Sequence, residues 1–243
     1  QKTAYEIPKR DWSSDVCSSD LANTLSELCE HIGASWNDIQ GALRMDQRIG
    51  PKAYISAGLG LSGGNIERDI KTSLELTRQA NTECSLLEAM RSNSQHRKLW
   101  PSEKLSIIFS QNLEDSTIAI WGVAYKRDTK STKNSPSLAN MQNLPEGTRL
   151  NLHDPQADMH LKLVDRNLVW FKDKFDALNG VDALMILTDW EEYSHVSIDV
   201  ILSRMKRPII IDPYRMIKDE LPMGIQYFTL GQTPGSRGQK IES

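Results

Sequence analysis

Apolar residues repeat at helical spacing through the first half of the chain. A first stripe consists of Leu25, Leu28, Cys29 and Ile32, at i, i+3, i+4 and i+7, and Gly33 closes it. This spacing predicts an amphipathic helix that ends at the glycine. A second helix is predicted from Trp36 to Met45. Because Cys29 lies on the apolar face, we interpret it as a packing residue rather than a reactive thiol.

A longer helical stripe follows a glycine-rich segment. Its members are Ile70, Leu74, Thr77, Cys84, Leu87 and Met90, which predict one long helix with Cys84 in its packed face. Pro101 is expected to interrupt this helix, because proline lacks the amide hydrogen of the helical ladder. A further helix is predicted up to Gln111, so the first half is expected to be all-helical.

The pattern changes after Ser116 to short apolar runs that alternate with helical stretches such as Glu191 to Met205. The runs are "TIAIWGV", "RLNLHD", "NLVWF", "DALMIL" and "PIIID". Runs of this kind, bounded by turn residues, predict strands, and their alternation with helices predicts a parallel sheet. The predicted fold class is α/β, with a helical domain before a parallel-sheet domain. Ligands of such sheets bind beyond the carboxyl ends of the strands.

The chain opens with a polar segment that we exclude from the predicted fold. "RDWSSDVCSSDL", from Arg10 to Leu21, resembles the translation of a sequencing adapter, and a polar, disordered leader is the alternative. Ordered structure is therefore expected to begin near Ala22. The predicted boundaries are a leader at 1–21, a helical domain at 22–112 and a sheet domain at 113–243 that ends in a disordered tail.

Composition narrows the functional classes. The chain has 243 residues, 39% of them hydrophobic and 25% charged, as in ordinary globular proteins. Its net charge of -3 gives no general attraction to nucleic acid or to an anionic membrane. No apolar run approaches the roughly 20 residues of a membrane span. The three cysteines lack CxxC spacing, so we expect neither a disulfide framework nor a metal site. We therefore expect the protein to be located in the reducing cytoplasm.

The segment "RIGPKAYISAGLGLSGGNIERD", from Arg48 to Asp69, carries two competing signals. Gly58, Gly60 and Gly63 spell G-x-G-x-x-G, which by itself suggests a dinucleotide-binding turn. Such a turn follows a buried strand and has an acidic residue about 20 positions later. Here "PKAYISA" is short and begins with proline, and the region downstream has helical spacing, so the context argues against this interpretation.

The same segment resembles the catalytic loop of the UDP-glucose/GDP-mannose dehydrogenase family, whose pattern is RIGpxfxxpGxGfGGsCfpKD. The chain keeps Arg48, Ile49, Gly50, Gly58, Gly60, Gly63 and Asp69, and has Arg68 where lysine is usual. The family's cysteine is absent, because Asn65, Ile66 or Gly64 takes its position, depending on where the pattern is anchored. The resemblance implies two hydride transfers from a sugar alcohol to NAD, of which the second needs the thiol.

A second motif, "GVAYKRDTKSTKNSPSL" from Gly122 to Leu138, is similar to the family's "GlaFKpdTdDtReSP". The resemblance implies that Tyr125 and Lys126 contact the nucleotide sugar, since an ammonium can neutralise a phosphate or bind a hydroxyl. Lys133 replaces a family arginine that reaches toward the cofactor, and Asn134 replaces the neighbouring glutamate.

Further segments match in order. "LHDP" and "DALMILTDWEEY" resemble "vyDP" and "aDalvilTeWeeF", and "IIIDPYRM" resembles the segment "vvDgRn" with its substrate arginine displaced by one residue. Arg215 is either the equivalent of that arginine or a surface residue.

The resemblance implies the remaining roles. Arg48 would reach across a dimer to the sugar nucleotide, and Tyr54 would line the uracil or ribose end. The backbone at Gly58, Gly60 and Gly63 would approach the sugar closely for want of side chains. Asp69, beside Arg68 and the altered position Asn65, would either orient a water molecule or cap a helix.

The resemblance also implies an architecture and three hypotheses on function. It implies a central helical domain that forms a homodimer, followed by a Rossmann-like domain. NAD would be bound mainly by an N-terminal domain for which we expect no room here. The first hypothesis is a fragment of an NAD-dependent nucleotide-sugar (UDP-glucose-like) 6-dehydrogenase homologue with an altered loop. The second is a catalytically silent paralogue that binds nucleotide sugars, and the third is a plain dinucleotide-binding domain. The sugar and its nucleotide stay open.

Overall fold

The computed structural model describes residues 12–63, 65–157 and 167–233. Gly64, the first eleven residues of the predicted leader and the predicted tail after residue 233 lie outside the described residues. The helices are α1 (Trp12–Ile32), α2 (Trp36–Met45), α3 (Asn65–Gln79), α4 (Ser85–Phe109), α5 (Pro136–Asn143), α6 (Glu191–Ser194) and α7 (Ile198–Arg204). The strands are β1 (Thr117–Trp121), β2 (Arg149–His153), β3 (Leu168–Trp170), β4 (Ala183–Ile186), β5 (Ile209–Ile211) and β6 (Gln226–Phe228). None of these helices is both long and apolar enough to cross a membrane.

The first two helices test the predicted starting point of the fold. Helix α2 has the predicted bounds, and the Ser35 side chain accepts a hydrogen bond from the Asp38 amide as its N-cap. Helix α1 begins at Trp12 rather than near Ala22, because no proline or glycine between them breaks the helix. Cys29 is 3% exposed in the core between these helices, as predicted.

The single long helix predicted over Ile70–Met90 is two helices. Helix α3 ends at Gln79, and Asn81 adopts a left-handed conformation with φ of 52°, as asparagine does more readily than most residues. Helix α4 then starts at Ser85 and packs back on α3. Cys84 lies in the turn and packs against the Ile70–Met90 cluster, as its position in the stripe predicted.

Pro101 does not interrupt α4, which corrects the prediction of a helix break. The Asn140 side chain of α5 takes over part of the helical ladder: its Nδ2 donates to the Lys98 carbonyl (2.8 Å), and its Oδ1 accepts from the Ser102 amide (2.8 Å). The backbone groups beside the proline are therefore paired although they lie in a buried stretch. The helix continues to Phe109, and its last turns pack in the core of the sheet through Leu105 and Phe109.

The second half forms a six-stranded sheet in the order β3-β2-β1-β4-β5-β6, with every pair parallel. The five predicted strands are confirmed, and β6 was not predicted. The predicted helix Glu191–Met205 is split into α6 and α7. The α/β fold class is thus confirmed. The chain leaves β1 toward β2 on one side and returns to β4 on the other, so a topological switch point lies between β1 and β4.

A buried carboxylate joins the helical unit to the end of the sheet. Glu30 of α1, 5% exposed, accepts from Arg97 Nη2 (2.8 Å), from Trp100 Nε1 (2.8 Å) and from the Gly231 amide (3.0 Å). Arg97 is fully buried. Beside them, the Trp36 amide donates to the Gly231 carbonyl (2.8 Å). Three segments that are far apart in sequence therefore meet at one charge.

We expect Glu30→Gln to lower the free energy of unfolding by about 3–5 kcal/mol, because it leaves the buried Arg97 guanidinium only the more distant Glu27 carboxylate, at 3.7 Å, as a counter-charge. Chemical denaturation measures the change. The matched control is Glu88→Gln, which removes the Arg78–Glu88 pair at the surface (2.6 Å, side chains 57% and 48% exposed). The control is expected to cost less than about 1 kcal/mol. Equal effects of the two substitutions would contradict the role of the buried pair.

Candidate functional site

The glycine-rich loop is fixed at one end by polar side chains of the helical unit. The Gly58 amide donates to Asn23 Oδ1 (2.8 Å), and the Leu61 amide donates to Ser94 Oγ (2.7 Å). A Cβ atom on Gly60 would lie 2.2 Å from the Ser94 carbonyl oxygen, so α4 leaves no space for a side chain there. Asn23 and Ser94 are both buried. The loop is therefore anchored on α1 and α4.

At its other end the loop meets the segment that follows β1. The Gly63 carbonyl accepts from Asn134 Nδ2 (3.0 Å), and Ser62 Oγ donates to the Tyr125 carbonyl (3.3 Å). Gly63 has φ of 76°, and a Cβ there would lie 2.8 Å from the Tyr125 ring. The Lys126 ammonium lies 5.6 Å from the centre of the same ring. The structure thus brings Gly63, Tyr125 and Lys126 together at the carboxyl end of the sheet.

A buried lysine supports this junction. Lys98 of α4, 2% exposed, donates to Asn134 Oδ1 (2.7 Å). Burial lowers the pKa of Lys98, and the Glu67 carboxylate partly opposes this shift. Asn134 has a left-handed backbone with φ of 52°, which asparagine tolerates better than most residues. Its amide therefore bridges the lysine and the Gly63 carbonyl.

Two of the three residues predicted to stand in place of the cysteine of the family pattern lie at the start of α3. Asn65 is the first residue of α3 and is exposed, and Ile66 is half-buried against the α3–α4 cluster. Arg68 pairs with its neighbour Asp69, with Nη2 to Oδ1 at 3.0 Å. Asp69 lies in the second turn of α3, so the expected alternative of a helix cap is wrong. Gly64, the third candidate for the altered position, is outside the described residues.

A cleft of about 510 Å³ opens between α2, the glycine-rich loop and the carboxyl ends of the strands. Three cationic side chains line it: Arg127 after β1, and Arg215 and Lys218 after β5. Two carboxylates, Asp189 and Glu191 after β4, line it as well. Tyr214 and Trp36 contribute aromatic surface; burial raises the pKa of Tyr214, and the Asp189 carboxylate adds to this shift. Such a lining suits a ligand with phosphate groups, hydroxyl groups and a flat ring.

Two aspartates that directly follow strands hold the loops around the cleft. Asp154 Oδ2 accepts from the amides of Val123 (2.7 Å) and Ala124 (2.9 Å) and from Trp190 Nε1 (3.2 Å). Asp212 Oδ2 accepts from the Ile217 amide (2.9 Å) and the Tyr227 hydroxyl (2.7 Å). The aspartates of the "LHDP" and "IIIDPYRM" motifs therefore position the loops that carry Lys126 and Arg215.

The other predicted site residues lie at different places. Arg215 lines the cleft, and its Nη2 donates to the Leu230 carbonyl (3.3 Å). Arg48 is exposed and pairs with Asp46 (2.6 Å). Tyr54, 64% exposed, lines a smaller cleft of about 290 Å³ with Arg44 and Lys52. Lys133 is exposed on the loop beside Asn134.

The structure contradicts the dinucleotide-turn interpretation of the glycines. Residues 53–58, immediately before and into the glycine run, are not in a strand, and α3 follows without a preceding β-strand partner. A phosphate-binding turn needs the strand-to-helix geometry that aims its amides at the ligand. Among the described residues, no group of three or more His, Cys, Asp or Glu side chains is arranged to hold a metal ion.

Sequence reasoning missed several residues of this site. Ser94 and Lys98 continue the buried stripe of α4 past Met90 at i+4 spacing. The sequence displays this spacing, but the predicted stripe ended at Met90. Arg127 and Asp189 each follow a predicted strand, and that position was a usable signal. Asn23 gave no signal, because its role depends on a loop that lies 35 residues away in sequence.

Comparison with known proteins matches both halves of the chain to one family. The family model described as the central domain of the UDP-glucose/GDP-mannose dehydrogenase family matches residues 18–95. The model described as the UDP binding domain of that family matches residues 119–219.

Among similar curated proteins, UDP-glucose 6-dehydrogenase of Rattus norvegicus is 30% identical, over 91% of this chain and 48% of that protein. UDP-glucose 6-dehydrogenase of Rickettsia conorii is 30% identical, over 86% of this chain and 49% of that protein. The chain thus spans about half the length of these curated relatives.

Solved structures share the fold. A UDP-glucose dehydrogenase from Pyrobaculum islandicum superposes with a TM-score of 0.73 at 21% identity, over 83% of this chain and 46% of that one. An NDP-N-acetyl-D-galactosaminuronic acid dehydrogenase from Methanosarcina mazei Go1 gives a TM-score of 0.76 at 17% identity, over 91% and 49%. At these identities the likeness concerns the fold.

We expect Gly63→Ala to lower the free energy of unfolding by about 1–3 kcal/mol, because the left-handed backbone disfavours a side chain and the Tyr125 ring occupies its space. Thermal and denaturant unfolding measure the loss. Gly41→Ala is the matched control, since nothing lies within 4 Å of its added Cβ inside α2; it is expected to gain about 0.5–1 kcal/mol. A Gly63→Ala protein as stable as the parent would contradict the close packing at this junction.

Proposed function

This chain belongs to the UDP-glucose/GDP-mannose dehydrogenase family, and on that premise we propose that it binds a nucleotide sugar in the cleft between its helical unit and its sheet. We further propose that the chain is part of an NAD-dependent nucleotide-sugar (UDP-glucose-like) 6-dehydrogenase homologue with an altered catalytic loop. The observation that carries the proposal is the position of the cleft. It lies at the carboxyl ends of a parallel sheet, next to the glycine-rich loop, and carries three cations.

The chain's own residues divide into two groups along this site. Arg127, Arg215 and Lys218 offer the charge that a diphosphate needs. Lys126 and Tyr125 lie at the glycine-rich end, where the Tyr125 ring packs on Gly63 and the Lys126 ammonium lies beside that ring, able to bind a sugar hydroxyl or a phosphate. The ligand would therefore extend from the cleft toward the start of α3, with its sugar at the altered position.

The altered loop limits the chemistry that this site supports. Oxidation of an aldehyde to an acid through a thioester needs a thiol, and the Asn65 amide is not a nucleophile of that kind. Cys29 and Cys84 lie outside the loop in sequence, and each is packed in a hydrophobic cluster. The Asp69 carboxylate, paired with Arg68, has no acyl intermediate to hydrolyse. We therefore propose that the reaction, where it occurs, stops at the aldehyde.

We propose that NAD is bound mainly outside the residues that the structure describes. The glycine run lacks the strand that a dinucleotide turn requires, and the proposed cofactor contact Lys133 is a single exposed side chain. In the family reaction NAD supplies the hydride acceptor, and we assign no step to it here. The residues of this chain bind and orient the nucleotide sugar.

A second candidate function is a catalytically silent module that binds nucleotide sugars. The absence of a thiol from the whole Arg48–Asp69 segment favours it. Both functions use the same cleft, so binding alone does not separate them, whereas NADH formation does.

We expect UDP-glucose and UDP to raise the melting temperature of this chain, because a ligand that binds only the folded state stabilises it by about 2.7 kcal/mol at 100 times its Kd. Calorimetric titration gives the affinities, and glucose alone is the control without phosphate. For turnover, the longest natural form of the protein is incubated with NAD and UDP-glucose. NADH formation supports the dehydrogenase, binding without NADH supports the module, and no binding of either nucleotide contradicts both.

We also propose that the chain forms a homodimer through its helical unit. An apolar stripe of α1 is exposed, with Leu21, Leu28 and Ile32 at 60%, 51% and 63% exposure. Met45 at the end of α2, 84% exposed, and Ile49 after it, 39% exposed, are further exposed apolar side chains of the helical unit. Adjacent apolar side chains of this size on a helical face are typical of an interface. Arg48 is exposed in the turn after α2, as its proposed contact with a partner's nucleotide sugar requires.

We expect the double substitution Leu28→Asp with Ile32→Asp to convert a dimer to a monomer, because two carboxylates would be buried in the interface. Analytical ultracentrifugation measures the mass in solution. Val200→Asp on α7 is the matched control, since Val200 is 39% exposed on the sheet side of the molecule, and it is expected to leave the dimer intact. A monomeric parent protein at high concentration would contradict the proposal.

A further inference from the structure

Arg127 stands where the family pattern GlaFKpdT has a proline, between Lys126 and Asp128. Arg127 lines the cleft, whereas the neighbouring Lys126 does not. Proline offers neither charge nor a donor, so this position adds a cation that the family pattern lacks. The substitution therefore changes what the cleft can recognise.

The backbone places Arg127 at the topological switch point of the sheet. It follows β1, and Asp189 follows β4, the neighbouring strand on the other side of the switch. The two loops touch, because a Cβ on Gly122 would lie 2.5 Å from the Thr188 Cβ, and Thr188 Oγ1 donates to the Ala124 carbonyl (2.7 Å). The crevice at such a switch point is where open α/β sheets bind their ligands.

The guanidinium of Arg127 is held only loosely. Its Nε lies 3.9 Å from Asp128 Oδ2 and 4.0 Å from Asp189 Oδ2, and its side chain is 60% exposed. Among the residues that the structure describes, Arg127 makes these two long ion pairs and no side-chain hydrogen bond. Exposed pairs at such distances contribute little. The planar fork of donors is thus available to an anion that enters the cleft.

We propose that Arg127 is a specificity-determining residue that binds the diphosphate of the nucleotide sugar, in competition with Asp189. The inference rests on the proposed function of the cleft. A guanidinium donates two parallel hydrogen bonds to the oxygens of a phosphate. Neither the base nor the uncharged sugar of the ligand carries a matching pair of anionic oxygens. Arg215 and Lys218 line the β5 side of the same cleft, so cations contact the diphosphate from both sides of the cleft. Asp189 repels the phosphates and weakens binding.

Calorimetric titration of the chain with UDP, UDP-glucose and uridine tests the proposal. Arg127→Ala is expected to raise the Kd of UDP and of UDP-glucose by the same factor, about tenfold to a hundredfold, and to leave the Kd of uridine unchanged. Asp189→Asn is expected to tighten UDP binding severalfold, because it removes the competing carboxylate. The tightening is expected to shrink in the double variant, since it acts partly through Arg127. Arg91→Ala, on the exposed face of α4, is the matched control and is expected to bind all three ligands as the parent does.

The outcomes separate this inference from the proposed function. A parent chain that binds UDP while Arg127→Ala binds it equally well overturns the role of Arg127 and leaves the cleft assignment standing. A loss confined to UDP-glucose assigns Arg127 to the sugar and likewise overturns the inference. A parent chain that binds neither UDP nor UDP-glucose overturns the proposed function and this inference with it. Unchanged melting temperatures of the variants exclude unfolding as the cause of any loss.

Discussion

The buried carboxylate of Glu30 is the interaction on which the arrangement of this molecule depends. It pairs with the fully buried Arg97 of α4 and accepts from the Trp100 indole and from the Gly231 amide after β6. A carboxylate removed from water is tolerated only when its oxygens are hydrogen-bonded and its charge is matched. The helical unit and the sheet are therefore held in one relative position, and the cleft between them keeps its shape.

Polar side chains make hydrogen bonds to backbone groups that regular secondary structure leaves unpaired. Asn140 bridges α4 at Pro101, Asp154 holds the turn after β1, and Ser94 holds the glycine-rich loop. Each is buried or half-buried and paired with main-chain groups, as buried polar groups must be. Asn134 extends the same principle to the site, where its amide joins Lys98 to Gly63. The loop that approaches the proposed sugar is thus positioned by side chains of both units.

The sequence predicted elements whose signal is local. Helix α2, the five strands and the packing of Cys29 and Cys84 follow from periodicity and turn residues. The break at Asn81 and the continuation through Pro101 depend on a backbone conformation and on an amide from another helix, which periodicity does not encode. The family motifs led to the glycine-rich loop and to Arg215. Lys98 and Arg127 had signals in their helix spacing and strand-end position, whereas Asn23 acts through a contact made only in the folded chain. The roles of Arg48, Tyr54, Asp69 and Lys133 stay predictions.

The hydrogen bond between Gly231 and Glu30 spans 201 residues of sequence. During synthesis the first helix leaves the ribosome long before the residues that complete its buried charge exist. Until then the Glu30 carboxylate lacks the hydrogen bond from the Gly231 amide, and the surface of α1 and α2 that contacts the segment after β6 stays open to solvent. Such late, non-local closure slows folding and lengthens the interval in which apolar surface is exposed to aggregation.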